Sequence, residues 1–155
     1  EYHSSCSFAD FTYVIGGRTQ NGMTDSIERL NSTEIVSRCY PLFFWSHTWQ
    51  HIQVAGSSLP ACHSALVCPL NDTEIIIMGG VYNEFSVFAL HHESHDLRQV
   101  TNQLEHGVNS STNSTRMLSP NLVALRVTAG LNGTDYLKSY TPSKPHTFQL
   151  IKELS

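Results

Sequence analysis

Positive charge is scarce in this sequence. There are 9 Lys plus Arg, only three of them Lys (Lys138, Lys144, Lys152), against 13 Asp plus Glu, for a formal net charge of −4. No basic cluster forms, which excludes a nucleic-acid binder that works through a basic stripe. Charged residues of both signs reach only 14%, where about a quarter is usual. Long apolar runs are missing too. The best, Ile75-Ile76-Ile77-Met78, stops at Gly79-Gly80, whereas a membrane-crossing helix needs about 20 apolar residues in a row. No Cys-x-x-Cys is present, so a structural zinc framework is not expected. Neither Gly-x-Ser-x-Gly nor a glycine-rich loop running into a helix occurs, which removes the nucleophile elbow and the phosphate cradle. No stretch keeps apolar residues at i, i+3, i+4 and i+7 behind a cap, so helices are not expected.

What the sequence does have is strand signal. Its 155 residues are 40% apolar, too many for a disordered chain and enough for one domain or a piece of one. Phe11-Thr12-Tyr13-Val14-Ile15 and Glu74-Ile75-Ile76-Ile77-Met78 are β-branched or aromatic and each ends in a glycine pair. Ser86–Leu90, Leu122–Val127 and Phe148–Ile151 read the same way. Asn21-Gly22, Leu59-Pro60, Asn132-Gly133 and Thr141-Pro142 punctuate them as turns. The class is all-β. Glu1 opens the chain with no charged-then-apolar leader, so a processed product or a piece of a longer protein is expected.

Three interlocking series reveal an internal period. Gly80 follows Gly17 by 63 residues, and Gly130 follows Gly80 by 50. Leu30, Leu90 and Tyr140 step by 60 and 50; Trp49, Leu97 and Phe148 step by 48 and 51. Three units of about 50 residues, each with several short strands, account for these spacings. The first carries extra residues, chiefly 34–44.

With these motifs in hand, the chain resembles the kelch-repeat β-propeller family. Gly16-Gly17 and Gly79-Gly80 look like its diglycine strand end, Asp25–Asn31 like its third strand, Thr48–Ile52 like its tryptophan-bearing fourth strand, and Leu59–Val67 like the first strand of the following blade. The departures are Leu30 and Leu90 where the family carries tyrosine, Leu97 and Phe148 where it carries tryptophan, and Ala129-Gly130 in place of two glycines. The resemblance implies about three four-stranded blades, near residues 1–54, 60–101 and 105–153, belonging to a larger ring. The rest of that ring is expected from a longer polypeptide, another chain or another copy. The structural anchors would be Gly16, Gly17, Leu30, Trp49, Gly79, Gly80, Leu90, Leu97, Gly130, Tyr140 and Phe148. A glycine pair tolerates φ > 0 and close backbone approach, and a bulky apolar side chain fills the layer between blades.

Other features bear on function. Five Asn-x-Ser/Thr triplets, at Asn31, Asn71, Asn109, Asn113 and Asn132, exceed the roughly two expected by chance and point to glycosylation at loops of a secreted or cell-surface protein rather than a cytoplasmic one. Cys6, Cys39, Cys62 and Cys68 allow three pairings or none; Cys62 and Cys68, placed in one strand, are too far apart to join. His91-His92-Glu93-Ser94-His95 falls one residue short of His-Glu-x-x-His, since Asp96 holds the last place, and reads as a polar turn. His47 and His51 flank Trp49. Neither metal nor other cofactor is expected. Tyr40, Phe43, Phe44 and Trp45 crowd one insert as candidate partner anchors. The reading is therefore a non-catalytic scaffold for protein interaction or assembly. Its loops near 18–26, 31–47, 81–85 and 102–120 would meet protein partners, and neither nucleic acid nor a membrane span is involved. The resemblance also implies two alternatives: an intracellular adaptor, for ubiquitin-ligase substrates or the cytoskeleton, and a secreted propeller oxidase, for which no tyrosine, cysteine and histidine constellation assembles.

Overall fold

A computed structural model of the chain describes residues 1–32, 49–110, 113–128 and 134–154. Cys39, Tyr40, Phe43, Phe44, Trp45, His47, Gly130 and Asn132 lie outside the described residues. The regular elements described are strands, fifteen of them in four sheets, so the chain is all-β.

The first sheet runs β1 (Ser4–Phe8), β2 (Phe11–Ile15), β5 (Ile27–Asn31) and β6 (Gln50–His51) in spatial order, each antiparallel to the last. A small hairpin, β3 (Arg18–Thr19) with β4 (Gly22–Met23), fills the link from β2 to β5. The second sheet contains β8 (Leu66–Pro69), β9 (Glu74–Met78), β10 (Val87–His91) and β11 (Asp96–Thr101). The linker strand β7 (Ala55–Gly56) adds to it, parallel to β11. This sheet thus has five strands instead of the expected four, because the incoming linker pairs with its outer edge. The third sheet is β12 (Asn113–Ser119), β13 (Leu122–Thr128), β14 (Asp135–Tyr140) and β15 (Gln149–Leu154).

Packing explains the different sequence textures. The second sheet is covered on both faces. One core joins Tyr13, Ile15 and Ile27 of the first sheet to Ile75, Ile77, Phe88, Leu90 and Leu97 of the second. A second core joins Leu66, Cys68, Ile76, Met78 and Val87 to Val123, Leu125, Tyr140 and Phe148 of the third. A strand buried on both sides needs a continuous apolar run, and Ile75-Ile76-Ile77-Met78 supplies it. Strand β2 buries Tyr13 and Ile15 but only half-buries Phe11, Thr12 and Val14. That is the alternation of a strand with one covered face. The opening strands also line up in space: β1 touches β8, and β8 touches β12.

Four sequence expectations need correction. Cys62 and Cys68 do not share a strand. Ser64 between them turns at φ 59, and β8 begins only at Leu66. Trp49 does not fill the layer between sheets: β6 is two residues long, Trp49 is 43% exposed, and Ile52, at 3%, takes the core place. Residues 113–119, expected within a loop, form β12. Finally, Leu30 pairs with Thr12 and Leu90 with Ile75, each opposite the residue five before its second glycine. Tyr140 pairs with Val123, seven before Gly130. The third unit is displaced by two residues, although Tyr140 is itself buried.

Candidate functional site

The glycine pairs build two matching corners. Gly16 N–H donates to the Ser26 carbonyl at 2.9 Å, as Gly79 N–H does to Ser86 at 2.8 Å. Gly17 N–H donates to the Cys62 carbonyl at 2.9 Å, and Gly80 N–H to Val108 at 3.0 Å. Arg18 N–H meets Glu1 O at 2.6 Å, and Val81 N–H meets His63 O at 2.9 Å. All four glycines hold positive φ, between 60° and 115°. A Cβ on Gly16 would strike the Cys62 carbonyl oxygen, and one on Gly79 the Val108 carbonyl oxygen. Glycine is therefore required at both corners on steric as well as conformational grounds.

These corners launch two loops that carry exposed apolar side chains, Met23 on the β3–β4 hairpin and Tyr82 and Phe85 after β9, while Tyr2 lies ahead of β1; Trp49, Leu118, Leu150 and Ile151 are exposed elsewhere. Tyr82 is 78% exposed, Tyr2 59%, Phe85 50% and Met23 37%. Between the β3–β4 hairpin and the Val81–Phe85 loop lies an open crevice of about 300 Å³ lined by Arg18, Gly22, Met23, His63 and Tyr82. Tyr2 lies against His63, ring centroids 5.6 Å apart. Tyr82 is held outward by a left-handed backbone at φ 67, and the Phe85 carbonyl accepts from Leu104 N–H at 3.0 Å, which ties that loop to the linker into the third sheet. The sequence pointed to both loops but missed these four apolar side chains as a group. The fold brings Met23 and Tyr82 into one crevice with His63, against which Tyr2 lies.

Other candidate residues are structural. Asn71 closes the turn before β9. Its Oδ1 accepts from Thr73 N–H at 2.9 Å and Glu74 N–H at 2.9 Å, while its Nδ2 donates to Glu74 at 3.1 Å and Asn121 at 2.8 Å. Both amide hydrogens are engaged, so a glycan here would displace a partner. Two of the triplets expected in loops touch strands, with Asn31 ending β5 and Asn113 opening β12. Asn109 lies in the linker before β12. The segment from His91 to His95 is the turn from β10 to β11, with His91 Nδ1 accepting from Glu93 and Ser94 N–H at 3.3 Å each. Among the described residues, no three His, Cys, Asp or Glu side chains come close enough to hold a metal ion together. Nor is any described helix long and apolar enough to cross a membrane.

Burial sets the chemistry of the thiols. It pushes Cys6 up to about 12 and Cys68 up to about 11, and it raises Cys62 too, with Asp25 adding to the shift. Cysteines so far from their thiolate form are inert packing groups. Burial also lowers His95 and His106; the latter ring lies 4.4 Å from that of Phe148. In comparisons with known proteins, no family model and no curated sequence matches the chain.

Proposed function

We propose that the chain is a non-catalytic interaction scaffold in which the three antiparallel sheets act as successive blades of a kelch-like β-propeller. The crevice lined by Met23, His63 and Tyr82, with Tyr2 against His63 and Phe85 exposed on the Tyr82 loop, receives a protein segment. One observation carries the reading: the same set of backbone hydrogen bonds recurs at Gly16-Gly17 and Gly79-Gly80, and both loops it launches present bare apolar side chains at one end. The linkers support the blade reading. Ala55 N–H bonds the His95 carbonyl at 3.0 Å ahead of β11, and Glu105 N–H bonds the His146 carbonyl at 2.9 Å ahead of β15. Each sheet is thereby tied to the outer edge of the next. Rigid strands with variable loops suit recognition, and exposed aromatic clusters mark docking surfaces.

The test is to pan a displayed peptide library on the folded protein. Selected peptides should lose at least tenfold in affinity on Tyr82→Asn and Phe85→Ser, with circular dichroism unchanged. Absence of any enriched peptide, or peptides indifferent to both changes, refutes the reading. The five Asn-x-Ser/Thr triplets favour a secreted or cell-surface setting, checked by glycopeptide mass spectrometry on native material. Unmodified asparagines there would leave the intracellular adaptor as the better assignment.

A further inference from the structure

Each internal contact in this stack joins the forward face of one sheet to the rear face of the next, and among the described residues two faces carry no neighbouring sheet. The rear face of the first sheet bears Thr12, Val14, Glu28 and Leu30, the residues that alternate with Tyr13, Ile15 and Ile27 in β2 and β5. Among the described side chains of that face Glu28, which stands opposite His51, is the only carboxylate, and there is no Lys or Arg. The forward face of the third sheet bears Arg116, Arg126 and Lys152 with a single carboxylate, Asp135, which Arg126 already clasps. Arg116 stands opposite Ala124, Arg126 opposite Leu137, and Leu137 opposite Lys152, so these groups share one face. Neither Glu28, Arg116 nor Lys152 has an ion pair within the described chain.

We infer that two copies of this chain pair head to tail, the basic forward face of each third sheet meeting the Glu28-bearing rear face of the other copy's first sheet. The inference rests on the blade reading for the sense of stacking. Two identical contacts related by one twofold axis close the assembly, giving a ring of six sheets. The charges are opposite in sign across each contact, and both faces are too polar for an obligate hydrophobic interface. The pairing is therefore reversible and weakened by salt.

Sedimentation equilibrium of the full chain in 50 mM salt should show a species of twice 17.3 kDa, with dissociation about tenfold stronger in 500 mM salt. Glu28→Arg alone, and Arg116→Glu with Lys152→Glu alone, should each be monomeric, because both contacts in either self-pairing then set like charges face to face. An equal mixture of the two variants should restore the dimer, since every head then meets a tail of opposite sign. That rescue separates a broken interface from a misfolded chain. A monomer at all concentrations, a dimer untouched by the variants, failure of rescue by folded variants, or open chains growing past two copies each overturn the pairing. A monomer that still binds selected peptides through Tyr82 and Phe85 overturns the pairing alone and leaves the scaffold reading standing.

Discussion

Replacing Gly79 by alanine should be among the most damaging single-methyl changes available to this protein, and a second glycine supplies the control. Gly79 sits at φ 67 and Gly22 at φ 117, so alanine at either position pays for a left-handed backbone, a cost of about 1–2 kcal/mol. The surroundings differ. A Cβ at Gly22 meets nothing within 4 Å, while one at Gly79 collides with the carbonyl oxygen of Val108 and approaches its Cγ2 to 2.6 Å. Val108 cannot easily move aside. Its side chain is fully buried, its N–H donates to Glu84 at 2.9 Å, and its carbonyl accepts from Gly80 at 3.0 Å. Relieving the clash means losing about one net hydrogen bond, ~1 kcal/mol, and repacking a filled core site, about 1–3 kcal/mol. Gly79→Ala should therefore cost about 3–6 kcal/mol against about 1–2 for Gly22→Ala. With a urea dependence of about 1–3 kcal/mol per molar, the two midpoints should lie at least about 0.7 M apart. Gly16→Ala should behave like Gly79→Ala, because its Cβ meets the Cys62 carbonyl in the same way. Equal midpoints for Gly79→Ala and Gly22→Ala would refute the corner as a steric lock.

Ile52→Ala should cost about 2–4 kcal/mol by core truncation, whereas Trp49→Ala should cost under about 1, given exposures of 3% and 43%. The reverse order in urea titrations would restore the tryptophan to the core. At pH 8 in native buffer, Cys6, Cys62 and Cys68 should resist a thiol reagent and then label fully in urea, as read by peptide mass spectrometry. Rapid native labelling of any of the three contradicts their burial. Acid should destabilise the fold in two stages. His95 and His106 have folded values below the ordinary 6.5, so the unfolded chain takes up protons first and stability declines as pH falls below about 6.5. Glu74, lowered chiefly by its bond from Arg98, contributes stability above its ordinary 4.5 that is lost as pH falls through its folded value. Arg98→Met should flatten the second stage and leave the first, and unchanged acid curves would remove Arg98 as the cause.

Much of the architecture was legible in the sequence because local chemistry and burial agreed there. The strand Glu74–Met78 could be read outright, since a sheet covered on both faces needs one uninterrupted apolar run, and the glycine pairs could be read because their backbone conformation excludes other residues. The weaker readings have a common cause. Size and spacing point to Trp49, but it stands just ahead of the two-residue strand β6 and is exposed, and Ile52 fills the site. The third unit's spacing matched Tyr140 to Leu90, yet the link between Thr128 and Asp135 is two residues shorter than that between Met78 and Val87, which slides the register while conserving the period. Cys62 and Cys68 looked like one strand until Ser64 adopted a left-handed turn, a choice the sequence does not advertise. The crevice was hidden for a different reason. Met23, His63 and Tyr82 are scattered along the chain and meet only in the fold, where the Val81 N–H bond to the His63 carbonyl joins two of their segments.

The distribution of polarity among the three sheets bears directly on how the chain is used. If all three were interchangeable members of a continuous apolar ring, their outer faces would resemble the two faces of the second sheet, with Ile75, Ile77 and Phe88 on one side and Ile76, Met78 and Val87 on the other. Instead, where β9 and β10 present Ile75, Ile77 and Phe88, the matching register of β2 and β5 presents Thr12, Val14 and Glu28. The forward face of the third sheet is built around Arg126 and Asp135. Burying those groups against an apolar neighbour would strand charge at a cost of several kcal/mol, while meeting opposite charge or water costs far less. The ends of the stack are thus suited to a polar contact made and broken in solution. The crevice at the loop end, lined by Arg18 and His63 as well as Met23 and Tyr82, is suited to a different partner, so the two surfaces can be occupied independently. Saturating the crevice with a selected peptide should accordingly leave the salt-dependent pairing constant unchanged within about twofold. A peptide that abolishes pairing would mean that both partners compete for one surface.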